Sequence, residues 1–335
     1  MEESSDPDMY KLKINPWPSI EQPAPEECKS DSEYKRKARK HQSDFRWKVL
    51  HCGHDTNHRL GKYGAYLLWE DAMAGRNFYA PYWDKIQRAI TNRYHDSQSW
   101  ELAPIYANML RSEHIPFNFF VPMMDDLDAA AKAFNALIQE ESIAQIISIK
   151  IEYAPEKQFA LNDGTAFDTF VLYRHNDGST GGIGIEIKYT EAGYPLKRGS
   201  KEERDIMNGE NRQYIDITHK CGYYTNEVLS LPLSQSPLVK NEFRQIWRNH
   251  ILGASMMENN NIEHPLKHFN SVTIYPNSNT HFTKTIPRYE QMLTDRGRKT
   301  FCGITYENFF KILSKFYSST DFCNWIVYLG LRYEF

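Results

Sequence analysis

Residues 182–189 read Gly-Ile-Gly-Ile-Glu-Ile-Lys-Tyr, and this alternation constrains the chain more than any other segment. A period of two marks a strand, so Ile183, Ile185, Ile187 and Tyr189 share one face while Gly184, Glu186 and Lys188 share the other. A carboxylate and an ammonium therefore stand side by side on a strand whose opposite face is wholly apolar. Gly182 and Gly184 leave room beside them for a ligand or another backbone. Upstream, Thr165–Tyr173 reads as a second strand, apolar on both faces and so buried. On it Asp168 lies with Phe170 and Leu172, and Phe167, Val171 and Tyr173 lie opposite. The Asn176-Asp177-Gly178 turn signal joins the two strands as a hairpin and brings Asp168 toward Glu186.

An ionised carboxylate is costly to bury unpaired, and two together repel unless a divalent ion neutralises them. Mg²⁺ suits such a pair, taking one or two carboxylates and leaving its other positions to water and phosphate. It would polarise a phosphodiester and lower the pKa of a bound water, with Lys188 orienting that water and offsetting the developing charge. The Glu-x-Lys triplet alone is cheap: it recurs at Glu27–Lys29 and Glu33–Lys35, and on a solvent face it is a weak ion pair. The argument rests on the combination of triplet, buried acid and turn.

The framework around these strands is that of an ordinary globular chain. Its 335 residues are 41% hydrophobic and 25% charged, enough for one large core or two modest ones. No apolar run is long enough to span a membrane, so no membrane partner is expected. Met1–Asp8 carries neither a basic nor an apolar leader segment, so no signal peptide is expected. Five scattered cysteines without a Cys-x-x-Cys pair predict reduced thiols and a cytoplasmic protein. Forty basic residues against 43 acidic leave a net charge of −3, so contact with nucleic acid must come from local patches.

Residues 1–34, Pro-rich and acidic, predict a disordered or loosely attached arm. Residues 35–115 read as a mainly helical extension, with helical spacing at Tyr63–Ala74 and Trp100–Arg111. In the remaining stretch, 116–335, a helix at Leu127–Glu141 precedes a strand at Ile146–Tyr153, then the hairpin. A long helix follows at Leu238–Met257, then a strand at Ser271–Tyr275 and two C-terminal helices at Tyr306–Tyr317 and Asp321–Leu329. From 127 to 275 the order is α-β-β-β-α-β.

Phe167-Asp168, seventeen intervening residues and Glu186-Ile187-Lys188 resemble the motif of the PD-(D/E)XK nuclease superfamily. The segments around 151–155, 164–173, 181–191, 112–122 and 245–256 look similar to an uncharacterised bacterial family within it. That resemblance implies an α/β fold: a restriction-endonuclease-like αβββαβ core with a mixed central sheet, plus the N-terminal helical extension and C-terminal helices. It implies Mg²⁺-dependent phosphodiester hydrolysis, Mn²⁺ substituting, by a DNA endonuclease acting on double-stranded DNA, with a homodimer possible. Asp168 and Glu186 would be the metal ligands and Lys188 the catalytic lysine. One departure is Phe167 where the pattern has proline. A further acid from a packed helix is often present; Glu113, at the end of the Trp100 helix, is the first choice, and Glu152, just beyond Ile151, the second. Gln245 and Arg248, one turn apart, would support the ligands or hold a phosphate. The alternative is a catalytically weak or inactive DNA-binding or interaction module on the same fold.

Other features carry less. His51, Cys52, His54 and His58 offer zinc-type donors at a spacing that matches no standard finger, so a polar loop is the expectation. The basic run Lys35–His41 reads equally as a DNA-phosphate contact or a solvated helix. Walker, GxGxxG, GxSxG and HExxH motifs are absent, which excludes the corresponding NTPase, dinucleotide, serine-hydrolase and zincin chemistries.

Overall fold

The computed structural model describes residues 25–95, 102–193, 195–258 and 265–335. The arm expected at the N-terminus lies outside the described residues as far as residue 24. Beyond it the chain is tied down: Glu26 N–H donates to Lys62 O, and Ser32 Oγ caps the first long helix by accepting from Lys35 N–H. Among the longer helices are α1 (Glu33–Lys48), α2 (Trp83–Arg93), α3 (Leu127–Ile138), α4 (Arg244–Glu258), α5 (Tyr306–Phe316) and α6 (Thr320–Tyr333).

Five strands form one mixed sheet in sequential order: β1 (Ile143–Tyr153), β2 (Phe167–His175), β3 (Thr180–Ile187), β4 (Leu266–Tyr275) and β5 (Phe301–Thr305). The first three are antiparallel neighbours, and β4 and β5 continue the sheet in parallel. The α-β-β-β-α-β order holds, with short helices added before α4 and β5 added after β4. A parallel pairing demands a long crossover, and the segment between β3 and β4 supplies it, carrying α4 across one face of the sheet.

The two faces bury separate cores. Ile183, Ile185 and Ile187 line one with Val171, Val272 and Ile274, beneath α3, α5, α6 and the segments before residue 125. Phe170, Leu172 and Phe269 line the other, beneath Trp247, Ile251 and Leu252 of α4. Gly253 is what lets α4 settle so closely: a Cβ there would lie 2.0 Å from the Phe269 ring.

Several sequence expectations are corrected. Phe167 packs beside Phe170 at 5.7 Å between ring centroids, on the α4 side rather than with Val171. The space beside Gly182 and Gly184 is taken by the Phe170 and Phe167 rings rather than a ligand. α4 begins at Arg244, Pro237–Val239 forming a separate short turn. Of Tyr63–Ala74, only Trp69–Met73 is α-helical. Of Trp100–Arg111, only Ala103–Ala107 is helical among the described residues, opened by Pro104. Glu113 therefore stands on a loop and not on a helix end.

Candidate active site

The hairpin and the parallel pairing fix the site together. Thr169 pairs with Ile185 and Phe170 with Gly184, so Asp168 reaches the level of Glu186. Its Oδ2 accepts from the Ile187 N–H at 2.6 Å. Glu186 and Lys188 are each only 3% exposed, and their side chains meet at 2.5 Å between Oε1 and Nζ. The first turn of α4 closes over them. Gln245 bridges the pair, donating through Nε2 to Glu186 Oε1 and accepting from Lys188 Nζ through Oε1. Asn249 donates to the other Glu186 oxygen. Both oxygens of a buried carboxylate are thereby satisfied, which is the condition for keeping an ion pair there.

Glu152 comes in from β1. Its neighbours Ile151 and Tyr153 pair with Thr169 and Phe167, which puts Glu152 opposite Asp168. It has φ of 54°, a left-handed backbone unusual for a residue with a side chain. Arg93 of α2 holds this kink by donating to Glu152 O at 2.6 Å. Burial, reinforced by Glu186, pushes the Glu152 carboxyl up to about 7. Burial and the charges of Glu186 and Glu152 also lift Asp168 well above the usual carboxylate range, against Lys188 and the Ile187 N–H. Three acids face two cations, Lys188 beside Glu186 and Asp168 and Arg93 near Glu152, an excess of negative charge that a divalent cation would relieve. All-oxygen donors of this kind fit a hard cation. Glu113 does not join them directly: Arg111 Nε donates to its two oxygens at 2.9 and 2.7 Å.

A cleft of about 510 Å³ opens beside the acids, lined by Thr165, Lys197, Ser200, Glu202, Arg244, Gln245, Arg248 and Asn249 among others. Arg248 spans it, donating to Asp163 Oδ2 at 2.9 Å, Thr165 Oγ1 at 2.5 Å and Glu202 Oε1 at 2.9 Å. Arg244 meets the same Glu202 oxygen at 3.2 Å. Burial pushes the Asp163 carboxyl up, but Arg248, Tyr214 and Thr165 outweigh it and hold the group below its ordinary range.

Sequence reading offered Asp168, Glu186, Lys188 and Glu152, which the structure gathers, Gln245 and Arg248, which border them, and Glu113, which is held by Arg111. It missed Asn249, visible as the fourth residue after Gln245 and so on the same helix face. It also missed Asp163, Thr165 and Glu202, which only the tertiary fold brings to Arg248. The His51–His58 run does not converge: His54 Nδ1 meets Gly61 O, the His58 ring stacks on Tyr66 and Cys52 donates to Leu50 O. The basic run is largely neutralised by its own acids, Lys37 by Glu33, Arg39 by Asp31 and Lys40 by Asp44. Among the described residues no helix is long and apolar enough to cross a membrane.

Comparison with curated proteins finds no match, and comparison with solved structures finds none either. A family model described as the PD-(D/E)XK nuclease superfamily matches residues 29–334. Members of that superfamily hydrolyse phosphodiesters and typically use divalent metals. The match runs through both cores and all five strands, and the chain belongs to the PD-(D/E)XK nuclease superfamily.

Proposed function

We propose that this chain is a Mg²⁺-dependent endonuclease that cleaves double-stranded DNA, with Mn²⁺ able to substitute. The observation that carries the reading is the convergence of Asp168, Glu186 and Lys188 beneath Gln245 and Asn249, two residues that line a cleft together with Arg244 and Arg248. Asp168 and Glu186 would hold the ion, with Glu152 the third acid of the set. The bound ion would supply Lewis-acid polarisation of the scissile phosphate and a more acidic water. Lys188, tied to Glu186 and Gln245, has its ammonium fixed where it can orient the attacking water and offset negative charge on the phosphate. Gln245 and Asn249 keep Glu186 aimed, and Arg248 with Arg244 offers guanidinium donors to a neighbouring phosphate of the strand. A cytoplasmic location and a homodimer that cuts both strands accord with this role.

The test is a supercoiled-plasmid assay with Mg²⁺, Mn²⁺ or EDTA, comparing wild type with Lys188→Ala and Asp168→Asn. Circular dichroism on each variant confirms that it is folded. Metal-dependent nicking or linearisation by wild type alone is expected. Equal cleavage by folded Lys188→Ala would overturn the assignment.

A further inference from the structure

At the far end of the hairpin lies a second group of donor atoms, on the opposite face of the sheet from the acids. β3 runs eight residues, roughly 25 Å, between the two places. His175 closes β2, Asp177 sits in the β2–β3 turn and His268 is the third residue of β4. The two histidines belong to strands that are not adjacent, since β3 lies between them. They meet at the turn end of β3, where Gly181 pairs with Tyr173 on one side and with His268 on the other. A Cβ at Gly181 would strike the Tyr173 ring at 2.2 Å. The imidazoles stack at 3.7 Å between centroids and 9° between planes.

Both rings turn a nitrogen toward the same carboxylate. His175 Nδ1 lies 3.0 Å from Asp177 Oδ1, and His268 Nε2 lies 3.0 Å from Asp177 Oδ2. The His175 nitrogen is contested, because the Asp177 N–H also approaches Nδ1 at 3.1 Å. If Nδ1 accepts that hydrogen bond it faces Oδ1 acceptor to acceptor; if it is protonated it faces the N–H donor to donor. Asp177 itself is fixed, Oδ1 accepting from the Ser179 N–H at 2.8 Å and the Ser179 hydroxyl at 2.5 Å. The three ligand atoms all lie within 4.8 Å of one another, and no other such trio of His, Cys, Asp or Glu occurs among the described residues.

We propose that His175, Asp177 and His268 form a binding site for a transition-metal dication of the Zn²⁺ class, separate from the catalytic acids. Two imidazoles and a carboxylate match the donor set of three-ligand zinc sites. Metal–ligand bonds of about 2.0–2.1 Å put tetrahedral ligand atoms roughly 3.3 Å apart; here each imidazole nitrogen lies 3.0 Å from its own Asp177 oxygen, and one ligand atom from each residue falls within 4.8 Å of the other two. A metal bound at Nδ1 would take the contested lone pair and resolve the competition between the Asp177 N–H and Oδ1. The imidazoles also select: nitrogen donors favour Zn²⁺, Co²⁺ or Cu²⁺ and disfavour Mg²⁺, the ion proposed for the acids. Binding requires the stacked rings to turn so that their in-plane lone pairs converge, and the half-exposed His268 has the freedom to do so. The cleft beside them, about 230 Å³ and lined also by Lys267, Arg296 and Lys299, has room for the water or anion that would take a fourth position. An ion there would clip the β2–β3 turn to the start of β4 across the intervening strand.

The experiment is calorimetric titration of the full chain with ZnCl₂ in excess Mg²⁺, which occupies the acidic site. A parallel CoCl₂ titration is read by visible absorption. Wild type, His268→Ala, Asp177→Asn and Asp168→Asn are compared, each checked by circular dichroism. One Zn²⁺ per chain is expected for wild type and Asp168→Asn, with affinity falling at least tenfold in His268→Ala and Asp177→Asn. Absence of zinc binding by wild type, or equal binding by His268→Ala, would overturn the proposal. Because binding and not cleavage is read, neither result depends on nuclease activity.

Discussion

Substitution of Lys188 gives a quantitative test of how the buried acid is held. Lys188→Met removes the ammonium and keeps the length of the side chain, leaving Glu186 with two amide donors and no countercharge. At 2.5 Å the pair is worth roughly 7 kcal/mol of attraction for an effective dielectric of about 20. Desolvation of both ions offsets much of this, so the measurable loss on stranding the carboxylate is about 3–5 kcal/mol. Adding Glu186→Gln removes the stranded charge, and the amide can still accept from Asn249 and donate to Gln245. The double variant should therefore recover most of the loss and fall within about 1 kcal/mol of wild type. The assay is urea unfolding in EDTA, followed by circular dichroism and compared only where the denaturant slope is unchanged. If Lys188→Met and Glu186→Gln lose stability additively, the two side chains do not compensate each other and the account of the buried pair is wrong.

Gly253→Ala would ordinarily gain about 1 kcal/mol of helix propensity, but the Cβ meets Phe269 at 2.0 Å, so a net loss of about 1–3 kcal/mol is expected in the same unfolding assay. Burial among Tyr289, Tyr223 and Phe301 pushes His250 down to about 3. Its folded pKa is depressed below the unfolded value near 6.5, so its contribution is complete above that pH and is lost as pH falls toward 3. Stability measured against pH should decline through that window by up to on the order of 4 kcal/mol, and His250→Gln should flatten this part of the curve. Arg248→Gln should weaken binding of a DNA duplex in Ca²⁺ and reduce the slope of log affinity against log salt by about one, read by fluorescence anisotropy. An unchanged slope would mean that Arg248 serves only Asp163 and Glu202.

What could be read from the sequence was what is local along the chain. The hairpin was visible because alternation, an Asn-Asp-Gly turn and an acid in an apolar strand all fall within about twenty-five residues. Glu186 and Lys188 were placed on one face by strand periodicity alone. The errors arose where tertiary context decides. Pro104 opens a helix that stops at Ala107, because Ala107 O and Met109 N–H are taken by Leu67 and Ala65, so Glu113 lost its helix. Phe167 changed sides because Gly184, paired with Phe170, leaves a gap on the α4 face that the Phe167 ring fills. The basic run was left open between a phosphate contact and a solvated helix, although its acids at four-residue spacing, a pattern legible in the letters, favour the helix. Asp163 and Glu202 reach Arg248 from 85 and 46 residues away, and no local rule announces them.

The hairpin and the crossover differ in when they can form. Asp168 and Glu186 lie on adjoining strands joined by a tight turn, and closing so short a loop takes microseconds. Gln245 and Asn249 arrive from about sixty residues further on, after α4 has crossed the sheet and β4 has paired. The acids therefore meet before the amides that satisfy Glu186 are in place. During that interval their mutual repulsion opposes the hairpin, with only Lys188 at hand to relieve it. Refolding should accordingly quicken when divalent cations are present from the outset or when the pH is low enough to protonate one carboxyl, so the same charges that suit the finished site set the pace at which the chain reaches it.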